Sequence, residues 1–133
     1  VVAIGQTGEA SITVTHADTA SAVALSSQDS FPAVLATARM IALMEVAAAR
    51  VLTPMLKEGE LSVGVVVNIK HSAATPVGGT AKAVATYLGT EGKLHRFRVE
   101  AFDDAGPIGE GDHARAIIAT DRLLSGAARR KGP

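Results

Sequence analysis

The chain has no cysteine and no tryptophan. The first absence excludes a disulfide scaffold, a Cys-ligated zinc site and a thiol nucleophile. Aromatic rings are nearly as scarce, Phe31, Tyr87, Phe97 and Phe102 being all of them. The interior must therefore be built from Ala, Val, Leu and Ile, and any ring turned toward a pocket stands out. Neither sign of charge prevails, because 13 Lys and Arg balance 13 Asp and Glu. Without a positive field, nucleic acid is not expected as a partner. No run is long and uncharged enough to span a bilayer, and no secretory-type segment opens the chain. A cytoplasmic protein with no membrane partner is the expectation. The four histidines, His16, His71, His95 and His113, lack ligand-like spacing, so no metal is expected. No phosphate-cradling glycine loop opens a helix either.

What is present is 133 residues, 47% of them apolar, which suits one domain with a sizeable core. A single domain over 1–133 is expected, with 1–9 and 125–133 as loose ends. Residues 10–16 alternate as a half-buried strand, with Ile12, Val14 and His16 on one face. Residues 17–30 are small and polar and read as a loop. A long helix follows, Ser30 serving as its N-cap and Pro32 lying in its first turn. It runs from Val34 to Val51 through good helix formers, and Thr53-Pro54 ends or kinks it. Four more strands are expected at 62–71, 80–88, 94–102 and 108–120, the middle two joined by Gly89-Thr90-Glu91-Gly92. One helix against one antiparallel sheet is an α+β layer architecture. The alanines at 36, 38, 42, 47, 48 and 49 suit a helix wrapped closely by a curved sheet.

Several side chains suggest chemistry. Glu45 lies in the apolar run Ile41-Ala42-Leu43-Met44-Glu45-Val46-Ala47. On a buried face its carboxylate needs hydrogen-bonding partners; on a wet face it would pair with Arg39 or Arg50. Thr37 sits eight residues earlier, about 80° round the helix and roughly 12 Å along its axis. The two cannot touch, though they could flank one ligand; alternatively Thr37 bonds back to helix carbonyls. His71 ends a strand in line with Val63, Val65, Val67 and Ile69, which aims its ring at the helix. It is either a satisfied core histidine or a proton carrier. Gly64 marks a bulge, a curvature point or a close approach to the backbone. Its neighbourhood could also donate to an oxyanion. Arg115 shares a strand face with His113 and Ile117 and could hold a phosphate or a carboxylate. The basic stretch Arg129-Arg130-Lys131 reads as a solvated tail.

Three blocks resemble the fluoroacetyl-coenzyme A thioesterase family. They are Phe31-Pro32-Ala33-Val34-Leu35-Ala36-Thr37 with Leu43-Met44-Glu45, Ile69-Lys70-His71-Ser72-Ala73-Ala74-Thr75-Pro76, and Gly111-Asp112-His113-Ala114-Arg115-Ala116. The likeness covers residues 30–120 and is specific in combination. It implies a hot-dog fold, a long central helix wrapped by a curved antiparallel sheet of five strands, assembled as a homodimer; pairing of dimers into a tetramer stays open. It also implies that Thr37, Glu45 and His71 form the catalytic set, and that Gly64 and Arg115 lie at the ligand. Phe31 would guard the acyl pocket. Arg39 and Val46 depart from the resemblance, standing near the active helix face where apolar or larger aromatic residues are expected.

The activity so implied is hydrolysis of a short acyl-coenzyme A. No cofactor is called for, since coenzyme A is part of the substrate. Two alternatives remain. A non-catalytic module binding acyl-coenzyme A or an acyl carrier would need the pocket but not the ordered hydroxyl, acid and imidazole. A hot-dog enoyl-coenzyme A hydratase would need an Asp–His pair near the helix start, where only Asp29 is present.

Overall fold

Residues 2–133 are described by a computed structural model. The long strands are β1 (Thr7–Thr13), β2 (Glu60–His71), β3 (Thr80–Glu91), β4 (Leu94–Asp103) and β5 (Gly106–Ala119). They form one antiparallel sheet in the order β1-β3-β4-β5-β2. Helix α1 (Thr37–Leu52) packs against the concave face, and α2 (Thr120–Lys131) follows β5. Met40, Leu43, Met44, Ala47, Ala48, Val51 and Leu52 form the buried stripe of α1, at the three- and four-residue spacing of a core-facing helix. Opposite them, Ala81, Ala83, Ala85 and Ala101 have no exposed surface. Small side chains on both layers let helix and sheet approach closely, as the alanine-rich helix led us to expect.

Several boundaries differ from the sequence-based expectation, each for a local reason. β1 ends at Thr13 rather than continuing to His16. The Asp18 carboxylate takes the Thr15 N–H and hydroxyl, which turns the chain and leaves His16 exposed. The start of β1 claims residues 7–9 from the supposed loose end, and Val2 is buried in the core. Helix α1 begins at Thr37 with Ala36 as its N-cap, so Ser30 caps nothing. Residues 31–36 are instead held extended: the N–H groups of Leu35 and Ala36 donate to Thr75 and Asp18 carbonyls, and that of Ala20 to Val34. Thr53-Pro54 does end α1, passing into a single 3-10 turn. β3 and β4 run longer than expected, with only Gly92-Lys93 between them. Residues 120–131, expected as strand end and tail, form α2. Asp121 in its first turn and Arg129, Arg130 and Lys131 in its last suit the helix dipole.

One irregularity positions the site. The β2–β5 ladder pairs Gly64 with Arg115 and Val66 with Ala114, skipping Val65. This bulge inserts one residue and reverses which side chains face α1. Ile69 and His71 face the helix as expected, and Val67 on the same side stays 46% exposed, but before the bulge Ser62 and Gly64 take the inner face. Val63, expected on the same face as His71, is turned away. Gly111, opposite Ile69, allows β5 to lie close to β2 here. A Cβ there would collide with the Asn68 carbonyl and come within 2.9 Å of Ile69 Cα. Both obstacles are backbone, so G111A is expected to cost about 1–3 kcal/mol. Urea unfolding of G111A beside the parent chain measures this, and equal midpoints would contradict it.

Candidate active site

Thr37 is the first residue of α1 and His71 the last of β2. The fold brings them together: Thr37 Oγ1 and His71 Nδ1 are hydrogen-bonded at 2.7 Å. Thr37 is therefore not bonding back to its own helix. The other ring nitrogen, His71 Nε2, is buried and has no partner. It is the sole such side-chain atom among the described residues, and buried polar groups are ordinarily paired. His71, Ser72, Ala73 and Ala74 line an open cleft of about 250 Å³.

A second cluster lies two turns along α1. Glu45 faces Gly64, where a Cβ would stand 2.5 Å from Glu45 Oε2 and 3.3 Å from His113 Cε1. The missing side chain is what admits the carboxylate. Arg115 meets it from β5, Nη1 donating to Glu45 Oε2 at 3.0 Å. Arg115 also donates from Nε to Ser62 Oγ at 3.0 Å, from Nη2 to the Ser62 carbonyl at 2.9 Å, and from Nη1 to His113 Nε2 at 3.2 Å. Four of the five guanidinium N–H groups are thus engaged. The arginine side chain is 7% exposed and the glutamate 39%. Glu45 is neither sealed in the core nor paired with Arg39 or Arg50. Arg39 instead donates to Asp18 at 2.9 Å, and Arg50 to the Glu9 carbonyl at 2.8 Å.

The remaining candidates fall elsewhere. Phe31 is 49% exposed on the extended segment before α1. Arg39 and Val46 lie about 100–200° round the helix from Thr37 and Glu45, away from the side those two present to β2. Asp29 accepts from the Leu25 and Ser26 N–H groups, so the acid that a hydratase would need is tied into a turn. Ser62 was not anticipated as part of the site. Its spacing of two before Gly64 is the available signal once a bulge follows the glycine. A buried Tyr87–His95 pair, 2.8 Å between Oη and Nδ1, also escaped notice. The histidine alone offered no context.

A family model described as fluoroacetyl-CoA-specific thioesterase (FlK) matches residues 14–121. A fluoroacetyl-CoA thioesterase from Streptantibioticus cattleyicolor is 40% identical over 103 residues, 77% of this chain and 73% of that protein. A solved structure of the fluoroacetyl-CoA thioesterase FlK superposes with a TM-score of 0.91 at 33% identity, covering 100% of this chain and 99% of its own. A Thermus thermophilus protein described as a thioesterase superfamily member gives 0.87 at 29% identity, over 98% and 94%. The chain belongs to the fluoroacetyl-CoA-specific thioesterase family. Its fold is the hot-dog fold. The family match takes in both clusters and leaves out β1 and nearly all of α2, the elements that carry none of these side chains.

In this family member two buried histidines are electrically quiet at neutral pH. Burial pushes His113 and His95 below the ordinary value of 6.5, since a charged ring there loses hydration. The unfolded chain takes up protons near 6.5 while the folded one resists. Stability is therefore expected to decline as the pH falls through 6.5, levelling off below the folded-state values. Asp18 and Asp103, lowered from 3.8 chiefly by hydrogen bonds to Thr15 and Thr75, act only at still lower pH. Urea unfolding between about pH 7.5 and 5 tests this, and a flat profile would contradict it.

Proposed function

We propose that this chain hydrolyses a short acyl-coenzyme A to the free acid and coenzyme A, with Thr37, Glu45 and His71 as its catalytic groups. The observation that carries the proposal is the Thr37–His71 hydrogen bond, which leaves a buried imidazole nitrogen unpaired beside an open cleft. An oriented imidazole with one free nitrogen is the requirement for moving protons during thioester hydrolysis. Family membership and the relatives named fluoroacetyl-CoA thioesterase support the substrate class. Coenzyme A enters as part of the substrate, so no cofactor is required, and the cytoplasm is the compartment where such substrates are used.

Glu45, fixed by Arg115, would position or activate the attacking group. Val65, left out of the ladder by the bulge, exposes backbone beside Gly64 where an oxyanion could be received. Such a donor is often worth about 3 kcal/mol. Phe31 would border the acyl group. Within one chain, however, Glu45 and Thr37 stand roughly 12 Å apart along α1. β2 is an edge strand with an unpaired rim, and Leu61, Val65, Val66 and Val67 are exposed along it. An apolar edge of this length invites pairing. We therefore propose a homodimer joined through β2, in which the hydroxyl–imidazole pair of one protomer faces the carboxylate of its partner. Sedimentation should give twice the 13.5 kDa chain mass.

Mixing the protein with a panel of acyl-coenzyme A thioesters and following thiol release with a chromogenic reagent tests the activity. The absence of cysteine keeps the background low. H71A is expected to lower kcat by about 10²-fold or more with an unchanged circular dichroism spectrum. Binding without thiol release across the panel would favour the non-catalytic module instead.

A further inference from the structure

We propose that His113 is a positioning residue for this reaction: the Val66 carbonyl fixes it as the Nδ1–H tautomer, so that Nε2 accepts from Arg115 and orients the guanidinium against Glu45. The inference rests on the thioesterase reading of the site. His113 Nδ1 lies 2.7 Å from the Val66 carbonyl oxygen, which can only accept, so Nδ1 must carry the proton. Nε2 is then a lone pair, and it lies 3.2 Å from Arg115 Nη1. The same Nη1 donates to Glu45 Oε2. Both hydrogens of that nitrogen are therefore assigned, one to the imidazole and one to the carboxylate. The bulge places the Val66 carbonyl, so the irregularity that admits Glu45 also sets the tautomer.

The arrangement holds only while His113 is neutral. A proton on Nε2 would oppose an N–H to an N–H and a cation to a guanidinium. Charged and titratable groups surround His113 from several elements. Glu45 faces it from α1 and Arg115 from β5. On β4 its ring neighbours Phe97 at 6.3 Å, and His95 lies across from Arg115 in the ladder. β2 offers the Val66 carbonyl. A hollow of about 170 Å³ that His113 borders also contains Glu91, Arg96 and Asp112, the first two paired at 3.7 Å. Burial opposes a protonated ring most strongly and Arg115 adds to it, against the Val66 carbonyl and Glu45, which favour it.

The test pairs kinetics with a readout independent of turnover. In H113N the amide still donates toward Val66 but offers Arg115 no acceptor. Its kcat/KM is expected to fall about ten-fold, the worth of one hydrogen bond to a charged group, and its decline in acid is expected to be shallower than the parent's, since protonation at residue 113 no longer contributes. H113Q, whose longer amide reaches the Nε2 position, should recover most of that loss and show the same shallower decline in acid. Nitrogen-15 NMR of the unmutated protein should show the Nδ1–H tautomer and a titration midpoint below 6.5. An Nε2–H tautomer, a midpoint at or above 6.5, or an H113N enzyme with parental kcat/KM and parental decline in acid would overturn the proposal. If no acyl-coenzyme A is hydrolysed, the thioesterase reading fails, and the NMR result still decides the state of His113.

Discussion

The site depends on a carboxylate facing the backbone of a strand that carries no side chain at that point. Glu45 belongs to a helix whose neighbouring surface is alanine, leucine and methionine, a surface that ordinarily rejects charge. It is tolerated because Gly64 leaves room and because Arg115 meets it with a charge-assisted hydrogen bond. The two partners are not equivalent. Arg115 is the buried one and has three further acceptors, while Glu45 keeps contact with water. Loss of the acid would leave a buried guanidinium short of its counter-charge, whereas loss of the arginine would leave an acid that solvent can reach. The cluster is accordingly built around the arginine, and the glutamate is the member with freedom to meet something else.

The helix acts as a ruler for the rest. Eight residues separate hydroxyl from carboxylate, and no bending of α1 brings them into contact. Each is instead matched by a residue of β2 or β5 at its own level, His71 for Thr37 and Arg115 for Glu45. Between the two levels lies the bulge, which turns Ser62 and Gly64 inward and Val63 outward. Without it Val63 would occupy the inner face near Glu45, and the acid would be in the position that makes buried carboxylates rare. A strand edge left unpaired along these same residues ties the chemistry to assembly in the proposed dimer.

Much of this was legible in the residues. The alternation of 94–102, the alanine-rich helix and the short links between strands specified one helix on one antiparallel sheet, because both periods follow from backbone geometry alone. Thr37, Glu45, His71, Gly64 and Arg115 stood out for their chemistry, and the fold gathers them into two adjoining clusters. What could not be read were effects of tertiary contact. The start of α1 is set by hydrogen bonds from residues 35 and 36 to Thr75 and Asp18, distant in sequence, against the local preference of Ser30 and Pro32. The inward face of β2 before residue 65 depends on a bulge that a glycine suggests but does not require. The partners of Glu45 could not be chosen from helix spacing, since the arginine that binds it lies 70 positions away.

The two clusters differ in how completely they are satisfied, and that difference bears on the roles proposed for them. Arg115 engages four of its five N–H groups within the chain, so a ligand there would meet the one that remains or displace one of these contacts. His71 is the opposite case. One nitrogen is anchored by Thr37 while the other has no partner within the chain, although buried polar atoms are ordinarily paired. In the proposed reaction the free imidazole nitrogen therefore serves as the proton carrier, and the arginine cluster holds the acid that works with it.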